Sequence, residues 1–278
     1  MKRLLTAVIT FLVFSSGISA YEVKNAGQYS PAWSPDGQSI AYHENSEANV
    51  WDLLLRNVQT GKVVKVTENN AYDTDANWSP DGRYIIYSSS IDGNRNIYLY
   101  DVASQKNKVL IKDKANKMHP KWSPDGRSIA FVSNSGGSNQ LYQYLLSDGS
   151  VKQLSDTKGN TFHPSWSQDG EKIIFDQRKN DASVIYQLDM GSGKVSLIYE
   201  GNGSNIAASL NDERLTFSTN RAGNWDIVEL NLKTGKERLL AGTDANEMKG
   251  VWDLKHDKLV YSRQDDNRVW KLETKSFK

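Results

Sequence analysis

The chain has 278 residues, 38% of them hydrophobic and 24% charged, with a formal net charge of +1 and no cysteine. A balance this close to zero gives no electrostatic case for nucleic acid or an anionic lipid surface as a partner. The lack of cysteine excludes a disulfide scaffold and a lipid-anchored lipoprotein.

Residues 1–20 read as a secretory signal. Lys2-Arg3 precede an apolar run from Leu4 to Phe14, followed by Ser15-Ser16-Gly17 and a small residue at Ala20. The run is too short to span a bilayer, so membrane insertion is not expected. Cleavage after Ala20 removes Lys2 and Arg3 and no acid, leaving 32 basic against 33 acidic residues. Residues 21–278 are then expected to form a single exported, soluble, monomeric domain.

That domain is written as a repeat. WSPDG occurs at Trp33–Gly37, Trp78–Gly82 and Trp122–Gly126, and WSQDG at Trp166–Gly170, so the tryptophans lie 45, 44 and 44 residues apart. Each copy is followed by an apolar triplet, as in Ile129-Ala130-Phe131. A step of 42 residues from Trp166 reaches Ala208, and one of 44 more reaches Trp252; both lead to apolar triplets, at Leu215-Thr216-Phe217 and Leu259-Val260-Tyr261. Six units therefore fill nearly the whole chain.

Within a unit, four short apolar stretches alternate with turn residues. In the third they are Pro120–Trp122, Ile129–Phe131, Leu141–Tyr144 and Val151–Leu154. Pro-Asp-Gly makes a turn because proline presets φ, aspartate bonds the local backbone and glycine takes a positive φ. The Thr60-Gly61, Asp148-Gly149, Ser192-Gly193 and Thr234-Gly235 pairs suit the next hairpin. Four strands per unit and this period predict an all-β fold, a six-bladed β-propeller of four-stranded antiparallel blades. The repeated tryptophan is expected to fill the gap between blades. The sixth unit has only six residues after Leu272, so its fourth strand is expected from Tyr21-Glu22-Val23 at the start of the mature chain.

Chemistry is sparse. No nucleophile elbow, phosphate loop, dinucleotide fingerprint or zinc-protease motif is present, and no cofactor is expected. Asp73-Thr-Asp75-Ala-Asn77 and Asp92-Gly-Asn94-Arg-Asn96 mimic half a calcium loop but lack the distal glutamate. His43 and His256 read as surface residues beside turns.

One slot, three residues before the tryptophan, is more informative. It runs around the ring as Ser30, Asp75, His119, His163, Asn205 and Lys249, which would crowd the channel mouth if first strands line the axis. Asp75, His119 and His163 form a cluster that a divalent metal could use, although a hydrogen-bonded rim is the expectation. Strand alternation brings the connections between second and third strands to the same face. They carry Arg95, Arg178, Arg221 and Arg263 with Asn45, Asn134 and Asn220, donors suited to carboxylates and carbonyls. Solvated loop residues or inter-blade salt bridges are the plainer reading, and a partner-binding ring is the other. Tyr29 and Phe162 are candidate aromatic anchors there, or packing residues between blades.

The run His119-Pro120-Lys121-Trp122-Ser123-Pro124-Asp125-Gly126-Arg127-Ser128-Ile129-Ala130-Phe131 resembles the repeats of the TolB β-propeller, and the resemblance covers residues from about 28 to 272. It implies an exported, periplasmic propeller and a protein-binding role in the cell envelope, with a peptidoglycan-associated lipoprotein among the partners. TolB proteins also carry an α/β domain before the propeller; here the first repeat starts a few residues after the signal. The reading is a stand-alone TolB-like interaction module without catalytic residues. Its rival, implied by propellers that resemble oligogalacturonide lyases, is a carbohydrate-active protein using the His119/His163/Asp75 cluster.

Overall fold

A computed structural model describes residues 27–45 and 50–277. Its backbone is all β: six antiparallel meander sheets in chain order, in which each strand pairs with its sequence neighbour. Blade 1 contains Gln28–Trp33, Ser39–Asn45, Trp51–Asn57 and Val63–Lys65. Blades 2 to 5 repeat this plan over residues 74–111, 117–153, 161–199 and 205–241. Blade 6 shows three strands among the described residues, Glu247–Trp252, Lys258–Gln264 and Trp270–Ser276. The expected Tyr21–Val23 strand lies outside the described residues. Among those residues no helix is long and apolar enough to cross a membrane.

The turn signature works as its residues demand. In blade 3, Ser123 Oγ donates to Asp125 Oδ1 at 2.6 Å, the same carboxylate oxygen accepts the Arg127 amide at 3.0 Å, and Gly126 sits at φ 70°. Blades 1, 2 and 4 repeat the serine–aspartate bond at 2.6 Å. Blade 6 makes the same turn with other letters. Asp253 Oδ1 accepts the Asp257 and Lys258 amides, and His256 holds the left-handed position at φ 55°.

The tryptophans tie blade to blade as expected. Trp78 packs into a cluster with Ala32, Ala41, Leu53 and Val66 of blade 1, and Trp122 with Ile86, Ile97 and Leu99 of blade 2. Trp166 Nε1 donates to the Lys121 carbonyl, and Trp33 Nε1 reaches the Val251 carbonyl of blade 6, both at 3.2 Å. The ring closes between blades 6 and 1 with the help of two more bonds, Lys249 Nζ to Ser30 Oγ at 2.7 Å and Leu272 N to Gln28 Oε1 at 3.3 Å.

Blade 5 corrects the sequence alignment. Leu210 pairs with Leu215 as Trp122 pairs with Ile129, so Leu210 and not Ala208 holds the tryptophan position. Its first turn, Asn211 to Arg214, is two residues shorter than WSPDG, and the missing residues fall after Leu210. The fifth slot residue is therefore Ala207.

Candidate functional site: the channel mouth

All six slot residues share one backbone device. Ser30, Asp75, His119, His163, Ala207 and Lys249 have φ between 46° and 60°, and each sits where the first strand slips register against the second. Such a β-bulge re-aims its side chain, and a left-handed φ is costly for residues other than glycine. Here it turns six side chains to line one cavity of about 190 Å³. Second strands run back to this face, so their connections to the third strands surround it, as strand alternation predicts.

The polar members interlock across blades. His119 Nδ1 of blade 3 lies 3.1 Å from Asp75 Oδ2 of blade 2. His163 Nδ1 of blade 4 lies 2.9 Å from Asp176 Oδ1 in its own second strand, and the same oxygen accepts the Ala207 amide of blade 5 at 3.0 Å. Each acid fixes a proton on its imidazole's Nδ1 when the ring is neutral. The two imidazoles stand 4.5 Å apart by ring centre, with Phe162 6.5 Å from His119. Burial pushes His119 below its ordinary pKa despite the neighbouring Asp75. Among the described residues no three His, Asp or Glu side chains are grouped to hold a metal ion.

The repeat, the turn chemistry and the closed ring of blades agree with one family model, that of the TolB beta propeller domain, which matches residues 21–202. The chain belongs to the TolB beta-propeller family. No curated protein matches it in sequence. Among solved structures, TolB from Acinetobacter baumannii superposes with a TM-score of 0.69 at 24% identity, covering 80% of this chain and 56% of that one. The chain thus spans little more than half the length of that TolB. A putative TolB from Agrobacterium tumefaciens gives 0.68 at 19% identity and covers 90% of each chain. An oligogalacturonate lyase in complex with manganese gives 0.63 at 11% identity, covering 91% and 90%. At these identities the likeness shows the fold.

Other expected site residues of this TolB-family propeller are placed differently. Asn205 is fully buried two residues before the bulge, where its amide donates to the Gly203 carbonyl at 3.2 Å, so it does not reach the mouth. His43 is no surface residue: it is 6% exposed, stacked on Tyr29 at 5.8 Å and edge-on to Trp51 at 5.2 Å. Its Nδ1 is buried without a hydrogen bond, and burial pushes its pKa down to about 3. Tyr29 joins this group and touches Trp270 of blade 6 at 5.6 Å, which makes it a packing residue between blades. Phe162 stays half-buried beside both mouth histidines.

The arginines divide. Arg221 pairs with Glu237 at 2.5 Å, and Arg263 pairs with Glu247 and Glu273 at 3.3 Å, so both serve acids of their own chain. Among the described residues Arg178, which is exposed, bonds only the Asn180 carbonyl, at 3.3 Å, and Arg95 makes no side-chain ion pair. His256, expected at the surface, is half-buried against Trp252 at 5.5 Å and 2.9 Å from Asn211. It belongs to the opposite mouth, a wider cavity of about 570 Å³ lined by Trp33, Trp78, Trp122, Trp166 and Trp252. Packing alone was the sequence reading of these tryptophans; the structure adds that they line a cavity.

Proposed function

We propose that this chain is a periplasmic interaction module, exported by residues 1–20, that docks a protein of the cell envelope on the face carrying His119 and His163. The observation that carries the reading is the set of six left-handed bulges, which aim their side chains into one mouth cavity. Costly backbone placed repeatedly at one spot is a mark of function. Around the mouth, Phe162 supplies an aromatic contact and Arg178 an exposed guanidinium, residue types enriched in interfaces. Similarity to TolB structures supports the periplasmic setting and a protein partner, with a peptidoglycan-associated lipoprotein as one candidate.

The test is capture of envelope proteins by the tagged protein and by two variants. Phe162→Ser with Arg178→Glu disturbs the mouth without breaking a buried pair, whereas His163→Ala would leave the buried Asp176 with the Ala207 amide but without its imidazole partner. Leu254→Lys marks the opposite mouth, where Leu254 is 71% exposed. The reading expects capture to fail only in the first variant. Loss in the second alone would move the site to the tryptophan face.

The carbohydrate-active alternative has one feature in its favour, the two histidines in the channel of a fold shared with an oligogalacturonate lyase. Stoichiometric metal in the purified protein and eliminative cleavage of oligogalacturonate would establish it.

A further inference from the structure

One level below the slot residues, the blades present Ala32, Asn77, Lys121, Ser165, Ser209 and Val251 to the axis. All but Ala32 line both the mouth cavity and the opposite cavity, so this ring is the throat between them. Lys121 is the one ionisable side chain in it. Its Nζ makes no hydrogen bond or ion pair with any described residue, and neither do the Ser165 and Ser209 hydroxyls. Just above, Lys249 Nζ spends one of its three donors on Ser30 Oγ. The only carboxylate on the cavity wall is Asp75, already engaged by His119.

Lys121 is half-buried, and although Asp75 attracts it, its ammonium has no hydrogen-bonding partner among the described residues. A confined ammonium of this kind favours an anion, and natural structures pair such groups. Two lysines against one aspartate leave the wall, its imidazoles aside, one positive charge in excess. A monoanion balances that charge; a phosphate dianion overshoots it. The mouth-side space of about 190 Å³ continues through the throat into the wider cavity, so a carboxylate on a slender stem can reach the lysines from the mouth, and an acidic sugar is the competing ligand. We propose that the throat is a receptor for a single carboxylate, held by Lys121 and Lys249 with the Ser165 and Ser209 hydroxyls, and that an acidic side chain of the docked partner supplies it. The source of the carboxylate rests on the docking reading above; the receptor itself does not. Its ligand enters from the His119 side, so the partner's acidic residue lies at the centre of the interface.

The test is a calorimetric titration of the intact protein with N-acetyl-glutamate N-methylamide, with the corresponding glutamine compound and with galacturonate. Saturable binding of the glutamate compound is expected, weakened about tenfold or more in the glutamine compound, because charge-assisted hydrogen bonds are replaced by neutral ones. Lys121→Met, which keeps the stem and removes the charge, is expected to lose binding by a similar factor and to melt no lower than the parent. Equal affinity for the glutamine compound, undiminished binding by Lys121→Met, or no saturable binding of the glutamate compound overturns the proposal. Tighter binding of galacturonate than of the glutamate compound overturns the peptide source in favour of acidic sugars. Carboxylate binding that survives while partner capture fails defeats the docking reading alone; the reverse defeats the receptor alone.

Discussion

The imidazoles of His119 and His163 stand 4.5 Å apart although 44 residues separate them in the chain. Each is anchored through Nδ1 to an acid, one across the blade boundary and one within its own blade. The pair and the two acids that hold it come from three blades. Bulges in neighbouring first strands aim both rings at the axis, and this joins the repeat in the sequence to a mouth in the structure.

Acid should destabilise the fold through a third histidine. His43 has a folded pKa of about 3, below the roughly 6.5 of an unfolded histidine, because burial disfavours its charged form. Asp75 opposes this shift, while Lys249, Arg95 and His119 add to it. As pH falls below about 6.5 the unfolded chain takes up a proton that the folded one refuses, so stability falls with pH down to the folded pKa. The loss at pH 5 should be about 2 kcal/mol from this group. Urea unfolding at pH 7.5 and 5 should show it, and His43→Phe, which keeps the stacking on Tyr29, should flatten the slope. An equal slope in the variant would locate the effect elsewhere.

Two phenylalanines should separate core from mouth. Phe131 is 1% exposed in the interface of blades 2 and 3, and Phe131→Ala should cost about 3–5 kcal/mol. Phe162→Ala, at a half-buried rim position, should cost about 1 kcal/mol or less while weakening partner capture. Thermal melts of the two variants side by side make the comparison.

The second hairpin turn of blade 2 is open to improvement. Gln105 holds φ 56° where blades 1, 3, 4 and 5 have Gly61, Gly149, Gly193 and Gly235. Relief of left-handed strain exceeds the extra unfolded-state entropy of glycine, so Gln105→Gly should stabilise the protein by about 0.5–1 kcal/mol. A lower melting temperature would contradict this.

The four-strand unit and its turns were legible because Ser, Pro, Asp and Gly each act locally, through bonds no longer than five residues. The fifth blade was misplaced by two residues because its tryptophan is Leu210 and its turn is shortened after that position, so neither landmark survived in the letters. The left-handed bulges left no signal in composition, since Ser30, Asp75, His119, His163, Ala207 and Lys249 have no shared propensity for that φ. The burial of His43 was equally hidden: Tyr29, Trp51 and Trp270 meet around it only once blades 1 and 6 close the ring. Salt bridges were an open reading for Arg221 and Arg263, but two of the acids they pair with, Glu237 and Glu247, could not be named in advance because they lie sixteen positions away in the chain on neighbouring strands.

The central claim, that partners dock on the histidine mouth, is tested most directly by photo-crosslinking in living cells. A photoreactive amino acid replaces Phe162 in one strain and Leu254 in another. The account predicts adducts with an envelope protein from position 162 and none from position 254. Adducts from position 254 alone would place the interface on the tryptophan face and contradict it.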